Sequence, residues 1–245
     1  MCRGSVHVVY APSVQKRALQ ELIDVEQPAW PLIQSWVDQR RKPVEIPDAP
    51  EADRAGALEA MQVTIASPLG AVVYETGGIL VDYGWLRILG AGGNDRLRRS
   101  LPEWNFGRTF GASGATPGFV LVADDVVGGF FALDGGALGD GRGLVYYHAP
   151  DTLRWEPTGL DYAHFLHWAI TETSGFAKFY ELYRWPTWEA DVRNVPGDRT
   201  LSIEPWPFLA GAKVSQRDRR SVPVGELYDL YVNELPQRHG GANRG

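Results

Sequence analysis

Two hydrophobic rhythms succeed one another along the chain, and the change between them sets the expected architecture. Leu19, Leu22 and Ile23, then Trp30, Ile33 and Val37, recur at helical spacing on either side of Pro28 and Pro31. Residues 14–40 should therefore form two helices with a break at the prolines. Residues 41–52 carry Pro43, Pro47 and Pro50 and read as an extended connector. Residues 61–66 read as a strand. Ser67 and Pro68 then place a capping hydroxyl and a first-turn proline ahead of an apolar stripe of Leu69, Val72 and Val73, with Gly77-Gly78 able to form a left-handed cap at its end. Residues 79–82 and 85–89 read as short strands around a turn at Tyr83-Gly84, and residues 90–118 as a glycine-rich irregular stretch.

From Phe119 the β pattern is strongest. Residues 119–123, 129–134 and 143–148 are apolar or aromatic runs punctuated by Asp124-Asp125 and by glycines, the pattern of an antiparallel meander, with residues 152–156 a fourth strand. Residues 160–171 return to a helical period that buries Phe165, Leu166 and Ile170. Residues 176–188 and 222–235 read as further helices, the second opened by Pro223, with a segment rich in proline and tryptophan over 201–209 between them. The expected fold is α+β: a mostly antiparallel sheet backed by helices, with helical additions at both ends. It is read as one domain over 14–235, comprising a core over about 61–172 and a helical extension over 173–235; flexible segments are expected over 1–13 and 236–245.

Composition narrows the function classes. With 44% hydrophobic and 22% charged residues the chain is an ordinary globular protein. A formal net charge of −6 argues against nucleic acid as a partner, because phosphate recognition needs clustered cations. The short basic clusters over 40–42, 96–99 and 217–220 are read as solvated surface. A single cysteine, Cys2, excludes an internal disulfide framework or multi-cysteine zinc site. No signal-peptide pattern opens the chain, and no window reaches the about 18 apolar residues a membrane-spanning helix needs. A cytoplasmic protein with no membrane partner is expected.

Candidate chemistry is sparse. Asp124 and Asp125 could hold a cation or act as acid and base, but beside Val126-Val127-Gly128-Gly129 they read first as a turn in which aspartate binds local amides. His164 and His167, with Asp161 one turn earlier, share a predicted helix, yet their directions fan apart and no further ligands accompany them. The loop Gly135 to Gly143 resembles a phosphate cradle but leads into a strand instead of a helix N-terminus, and is read as a hairpin loop. Gly111-Ala112-Ser113-Gly114-Ala115 approximates a nucleophile elbow without the strand or partners it needs. Cys2 lies too near the terminus for a positioned nucleophile. No cofactor or metal is expected. The aromatic surplus, nine tryptophans and ten tyrosines, fits either core packing or interface hot spots, and Trp104, in the glycine-rich stretch, is the residue expected to be exposed.

Several strings carry a resemblance: Ser67-Pro68-Leu69-Gly70 leading to Glu75-Thr76-Gly77-Gly78, Tyr83-Gly84-Trp85-Leu86-Arg87-Ile88-Leu89-Gly90, and Ala123-Asp124-Asp125 through Phe130-Phe131-Ala132-Leu133. With Val145-Tyr146-Tyr147, Pro150-Asp151-Thr152-Leu153 and Phe179-Tyr180 before Arg184-Trp185, they resemble an uncharacterised bacterial family, the domain of unknown function 2625, over about residues 16–235. The middle block is also similar to the SUKH superfamily, whose pattern runs from a short helix ending in glycines, through strands, to a helix bearing a Phe-Leu pair, here Phe165-Leu166. Many bacterial members of that superfamily are immunity proteins that bind and neutralise secreted toxins without catalysis. This chain departs from a minimal member by its insertion over 90–118 and its C-terminal extension.

The resemblance implies a SUKH-like binding module, immunity-like or regulatory, whose partner is another protein. Its expected contact residues are Trp85, Arg87, Trp104, Asn105, Asp124, Asp125, Tyr146 and Tyr147. Two alternatives stand beside it: a hydrolase in which Asp124, Asp125 and His148 converge at one end of the sheet, and a self-assembling structural protein.

Overall fold

The computed structural model describes residues 16–110 and 117–236. Cys2, the extension over 1–13, the segment Gly111 to Ala115 and residues 237–245 of the tail lie outside the described residues. Helices α1 (Leu19–Ile23) and α2 (Trp30–Asp38) flank the expected break, and Pro31 sits in the first turn of α2, where an absent N–H costs nothing. A two-residue strand, β1 (Val44–Glu45), interrupts the connector. Helix α3 (Glu51–Met61) then begins within the last residues of the expected connector and fills the stretch before 61–66, which is turn and not the expected strand. It buries only Ala57 and Leu58, so its apolar period is too faint to register, while alanine, leucine and glutamate favour the helix intrinsically.

Helix α4 (Pro68–Glu75) starts as expected, with the Ser67 hydroxyl accepting the Gly70 N–H at 3.0 Å. It ends otherwise. Thr76 is extended at φ −141°, and its hydroxyl donates to the Val72 carbonyl and accepts the Gly78 N–H, so the left-handed glycine cap does not form.

Strands β2 (Gly78–Val81), β3 (Leu86–Leu89), β4 (Phe119–Asp125), β5 (Phe130–Asp134), β6 (Leu144–His148) and β7 (Trp155–Asp161) join β1 in a seven-stranded sheet. Its strands lie side by side in chain order, every neighbouring pair antiparallel. The stretch expected to be irregular before β4 contains helix α5 (Leu101–Asn105), opened by a reciprocal capping box between Ser100 and Glu103. One register row crosses most of the sheet: Arg87, Asp124, Phe130, His148 and Trp155 stand opposite one another on successive strands. These residues share a face, and their sequence neighbours point to the other.

Helix α6 (Tyr162–Thr171) covers that second face with Phe165 and Leu166, as expected. Beyond it, α7 (Ser174–Phe179) and α8 (Trp188–Arg193) replace the single helix expected over 176–188, because Pro186 stops a continuous one. The C-terminal extension is not wholly helical: β8 (Arg199–Glu204) and β9 (Asp218–Pro223) form a two-stranded antiparallel sheet before α9 (Val224–Tyr228), which continues as a π-helix over Asp229–Glu234.

Three kinds of contact seat this extension on the main sheet. Thr200 donates its hydroxyl hydrogen to the Val126 carbonyl at 2.8 Å, and the Leu201 N–H donates to the same oxygen at 2.7 Å. Gly197 lies so near Arg96 that a Cβ there would sit 2.0 Å from its carbonyl oxygen. Finally, cations cover rings: Arg193 lies over Tyr83 at 3.6 Å and Arg184 over Trp85 at 5.1 Å, while within the extension Arg184 also lies over Trp188 at 4.1 Å and Arg219 over Trp185 at 4.3 Å. Each such stack contributes roughly 0.5–2 kcal/mol. Among the described residues no helix is long and apolar enough to cross a membrane.

Candidate binding cleft

All eight residues expected to contact a partner are buried, so the exposed aromatic surface expected of them does not exist. Trp104 is the plainest correction. It belongs to α5, is 4% exposed, and is held between the guanidinium groups of Arg99 and Arg108 at 4.9 and 4.2 Å. The Asn105 amide substitutes for a strand peptide, accepting the Leu121 N–H and donating to the Leu121 carbonyl, each at 2.8 Å. Trp85 packs on Tyr180, Trp185 and Trp188, and the Tyr146 hydroxyl accepts the Gly141 N–H at 3.1 Å.

Asp124 is the centre of a buried charge cluster. Arg87 donates to it from Nε at 2.6 Å, and Arg99 pairs with its other oxygen. One further nitrogen of each arginine donates to a backbone carbonyl of the C-terminal extension, Arg87 to Arg199 and Arg99 to Gly197. Burial pulls the Arg99 guanidinium below its ordinary value, and Asp124 opposes that pull. The reading of residues 96–99 as solvated surface is thus corrected at Arg99. It is corrected again at Arg217, whose buried guanidinium donates to the carbonyls of Ala212, Pro205, Trp206 and Leu209.

Asp125 faces the opposite way. One carboxylate oxygen accepts the N–H groups of Val127 and Gly129 at 3.0 and 2.8 Å, as the turn reading expected, and the other accepts the Tyr147 hydroxyl at 2.8 Å. A Cβ on Gly129 would lie 2.2 Å from that hydroxyl, so only glycine lets the turn close over the pair. Burial pushes the Asp125 carboxyl up to about 6, and the hydrogen bonds offset only part of this. His148 is buried edge-on against Trp155, and burial pulls its imidazole down to about 4.

These positions separate the hydrolase residues. Asp124 and His148 share a face but stand two strands apart, about 10 Å by strand spacing, with Phe130 between them. Asp125 points to the other face. No acid-base pair forms among them. Asp161 instead caps α6, accepting the His164 N–H at 2.8 Å, while His167 meets the Trp36 ring edge-on. In the glycine loop the amides of Gly136, Ala137 and Leu138 are taken up by one oxygen of Asp134, which leaves no cradle for a phosphate. Among the described residues no group of three His, Cys, Asp or Glu side chains could hold a metal.

The face carrying Asp125 and Tyr147 also carries Phe131, and there the structure opens. Phe131 from β5, Phe165 and Trp168 from α6, and Phe179 from α7 line a cleft of about 500 Å³ whose rim is formed by Pro157, Thr158, Leu160 and Lys178. Ring centroids 5.0 Å apart for Phe131 and Phe165, and 5.3 Å for Trp168 and Phe179, close its sides. Tyr147 packs beneath, 4.6 Å from Phe131 and 5.0 Å from Phe179. Phe179 is 38% exposed and Leu182, three residues on, is 63% exposed. Predominantly apolar walls, few polar groups and this volume are the properties of a recognition pocket. The pattern of α6 foreshadowed Phe165, three residues before Trp168 on the same helix; Lys178 and Phe179 carried no such signal, because the break between α6 and α7 decides their direction.

Two bacterial proteins are similar to this chain over most of its length. An uncharacterized protein of Haemophilus influenzae is 40% identical over 189 residues, covering 77% of this chain and 82% of that protein. The Escherichia coli protein YbfG is 38% identical over 214 residues, 87% of this chain and 95% of its own length. No solved structure matches. The family model described as "Protein of unknown function DUF2625" matches residues 19–227, a span that takes in the sheet, the buried charge cluster and the aromatic cleft, and the chain belongs to that family.

Proposed function

We propose that the chain is a non-catalytic binding module, SUKH-like in the segment from α4 through the strands to α6, that engages another protein in an immunity-like or regulatory role. The observation that carries this reading is the cleft between α6, α7 and the sheet, whose four aromatic walls include the exposed Phe179, with exposed Leu182 three residues on in the chain. Exposed aromatic and aliphatic anchors beside a pocket are what a partner's side chain would fill. The interior charges support the same reading: Asp124 and Asp125 are engaged with Arg87, Arg99, Tyr147 and backbone amides, which makes them scaffold.

The test is affinity capture with the wild-type chain and with Phe179→Ser and Leu182→Ser, each checked for native circular dichroism. A protein that re-forms a complex with the purified wild-type chain, and loses at least about tenfold in affinity for both variants, is the expected result. Equal binding by all three chains, or retention of no protein, would refute the reading. A mass that rises with concentration for the purified chain alone would point instead to self-assembly.

A further inference from the structure

A second concavity lies where β1, the turn between β2 and β3, and the end of α8 come together. Its volume is about 270 Å³, and Arg40, Arg96 and Arg193 line it together with Val44, Glu45 and Tyr83. Three guanidinium groups against one carboxylate leave a local charge of +2 in a chain whose formal net charge is −6. Arg96 is fixed by Glu45, at 3.1 and 3.3 Å, and by the Arg193 carbonyl at 3.3 Å. Arg193 lies flat on the Tyr83 ring at 3.6 Å, and Arg40 spends one nitrogen on the Val37 carbonyl at 2.8 Å. Among the described residues neither Arg40 nor Arg193 forms an ion pair with a carboxylate.

The turn beneath them is strained to make this floor. Asp82 and Tyr83 are consecutive non-glycine residues with φ of 55° and 65°, where a glycine pair would be relaxed. The Asp82 carboxylate is drawn away to Arg184 and does not neutralise the pocket. What the strain secures at Tyr83 is a ring under Arg193.

We propose that this pocket binds a small soluble molecule through a dianionic phosphate monoester group. Arg40 and Arg193 clamp the phosphate, Arg96 completes the ring of donors, and Tyr83 supports Arg193. Two negative charges balance the local excess, and guanidinium forks match phosphoryl oxygens two at a time. The volume admits a phosphoryl group with a few further heavy atoms, below the range for drug-sized ligands. A nucleic-acid strand would meet the repulsion of an acidic chain outside this pocket.

Isothermal titration of the full chain with inorganic phosphate and with glycerol 3-phosphate, at ionic strength held constant with NaCl, tests the assignment. Saturable one-to-one binding is expected for both, weakened about tenfold or more by Arg193→Gln and by Arg40→Gln, which alter exposed side chains and are each checked for a native circular dichroism spectrum. Tyr83→Gly, which relaxes the turn, should keep a native circular dichroism spectrum and still weaken binding. Failure of both ligands to saturate, or affinity unchanged in the two arginine variants, would overturn the proposal. So would capture by phosphatidylglycerol vesicles without any response to glycerol 3-phosphate, since the phosphate would then belong to a lipid surface.

Discussion

Asp125 and His148 should give the chain two opposing pH dependences that mask one another. Burial holds the Asp125 carboxyl near 6 and the His148 imidazole near 4, whereas their ordinary values are 3.8 and 6.5. At about 1.4 kcal/mol for each tenfold change in proton affinity, each displacement is worth up to roughly 3 kcal/mol of stability. The signs differ. Asp125 keeps its proton in the fold after the unfolded chain has lost it, so its contribution is complete below pH 3.8 and is lost as pH rises through 6. His148 stays neutral in the fold while the unfolded chain is protonated, so its contribution is complete above pH 6.5 and is lost as pH falls through 4. Between these limits the two slopes cancel in the wild-type chain. Asp125→Asn keeps an acceptor for the Val127 and Gly129 amides and removes the titration, exposing the His148 slope alone. Urea unfolding followed by tryptophan fluorescence at pH 4.5, 5.5, 6.5 and 7.5 measures it. Relative to wild type, the variant should gain about 2 kcal/mol from pH 4.5 to pH 7.5, whatever constant offset the substitution brings. His148→Gln should lose stability with rising pH over the same range. A difference between Asp125→Asn and wild type that does not vary with pH would refute the reasoning.

Other substitutions follow from the same contacts. Asp124→Leu strands two buried guanidinium groups and should cost about 3–5 kcal/mol in urea unfolding. Gly129→Ala forces a methyl against the Tyr147 hydroxyl and Asp125, and should lower the thermal midpoint by an amount equivalent to about 1–3 kcal/mol. Arg217→Ala removes a buried guanidinium that ties four loop carbonyls together and should cost about 1–2 kcal/mol, detected as earlier urea unfolding. Leu182→Ser, at an exposed site, should change stability by less than about 0.5 kcal/mol in the same assay even where it abolishes partner binding.

The sheet and the helix behind it were legible because each strand from β4 to β6 is a short apolar run bounded by turn residues, and α6 has a clear apolar face. Helix α3 was not, since a helix that buries two small or medium side chains leaves no periodic trace. The hairpin of β8 and β9 was hidden for a related reason: Arg219 and Arg220 read as solvated charge, although Arg219 covers Trp185 and Arg220 pairs with Glu204 across the two strands. At the site, tryptophan and tyrosine content indicated recognition surfaces but misplaced them. Trp104 lies among cations in the interior, while Phe179 is left at the surface by a break between helices that no local pattern specifies.

The distance in sequence between Arg87 and its acceptor has a consequence for how the chain is completed. The carbonyls that receive Arg87 and Arg99 belong to Arg199 and Gly197, 112 and 98 positions downstream. A nascent sheet emerging from the ribosome can lay its strands down one after another, each on the edge left by the last. It cannot satisfy those guanidinium donors until the tail end has been synthesised. A chain stopped after α6 should therefore hold its strands only loosely and attract chaperones, and the final maturation step should depend on translation passing residue 199.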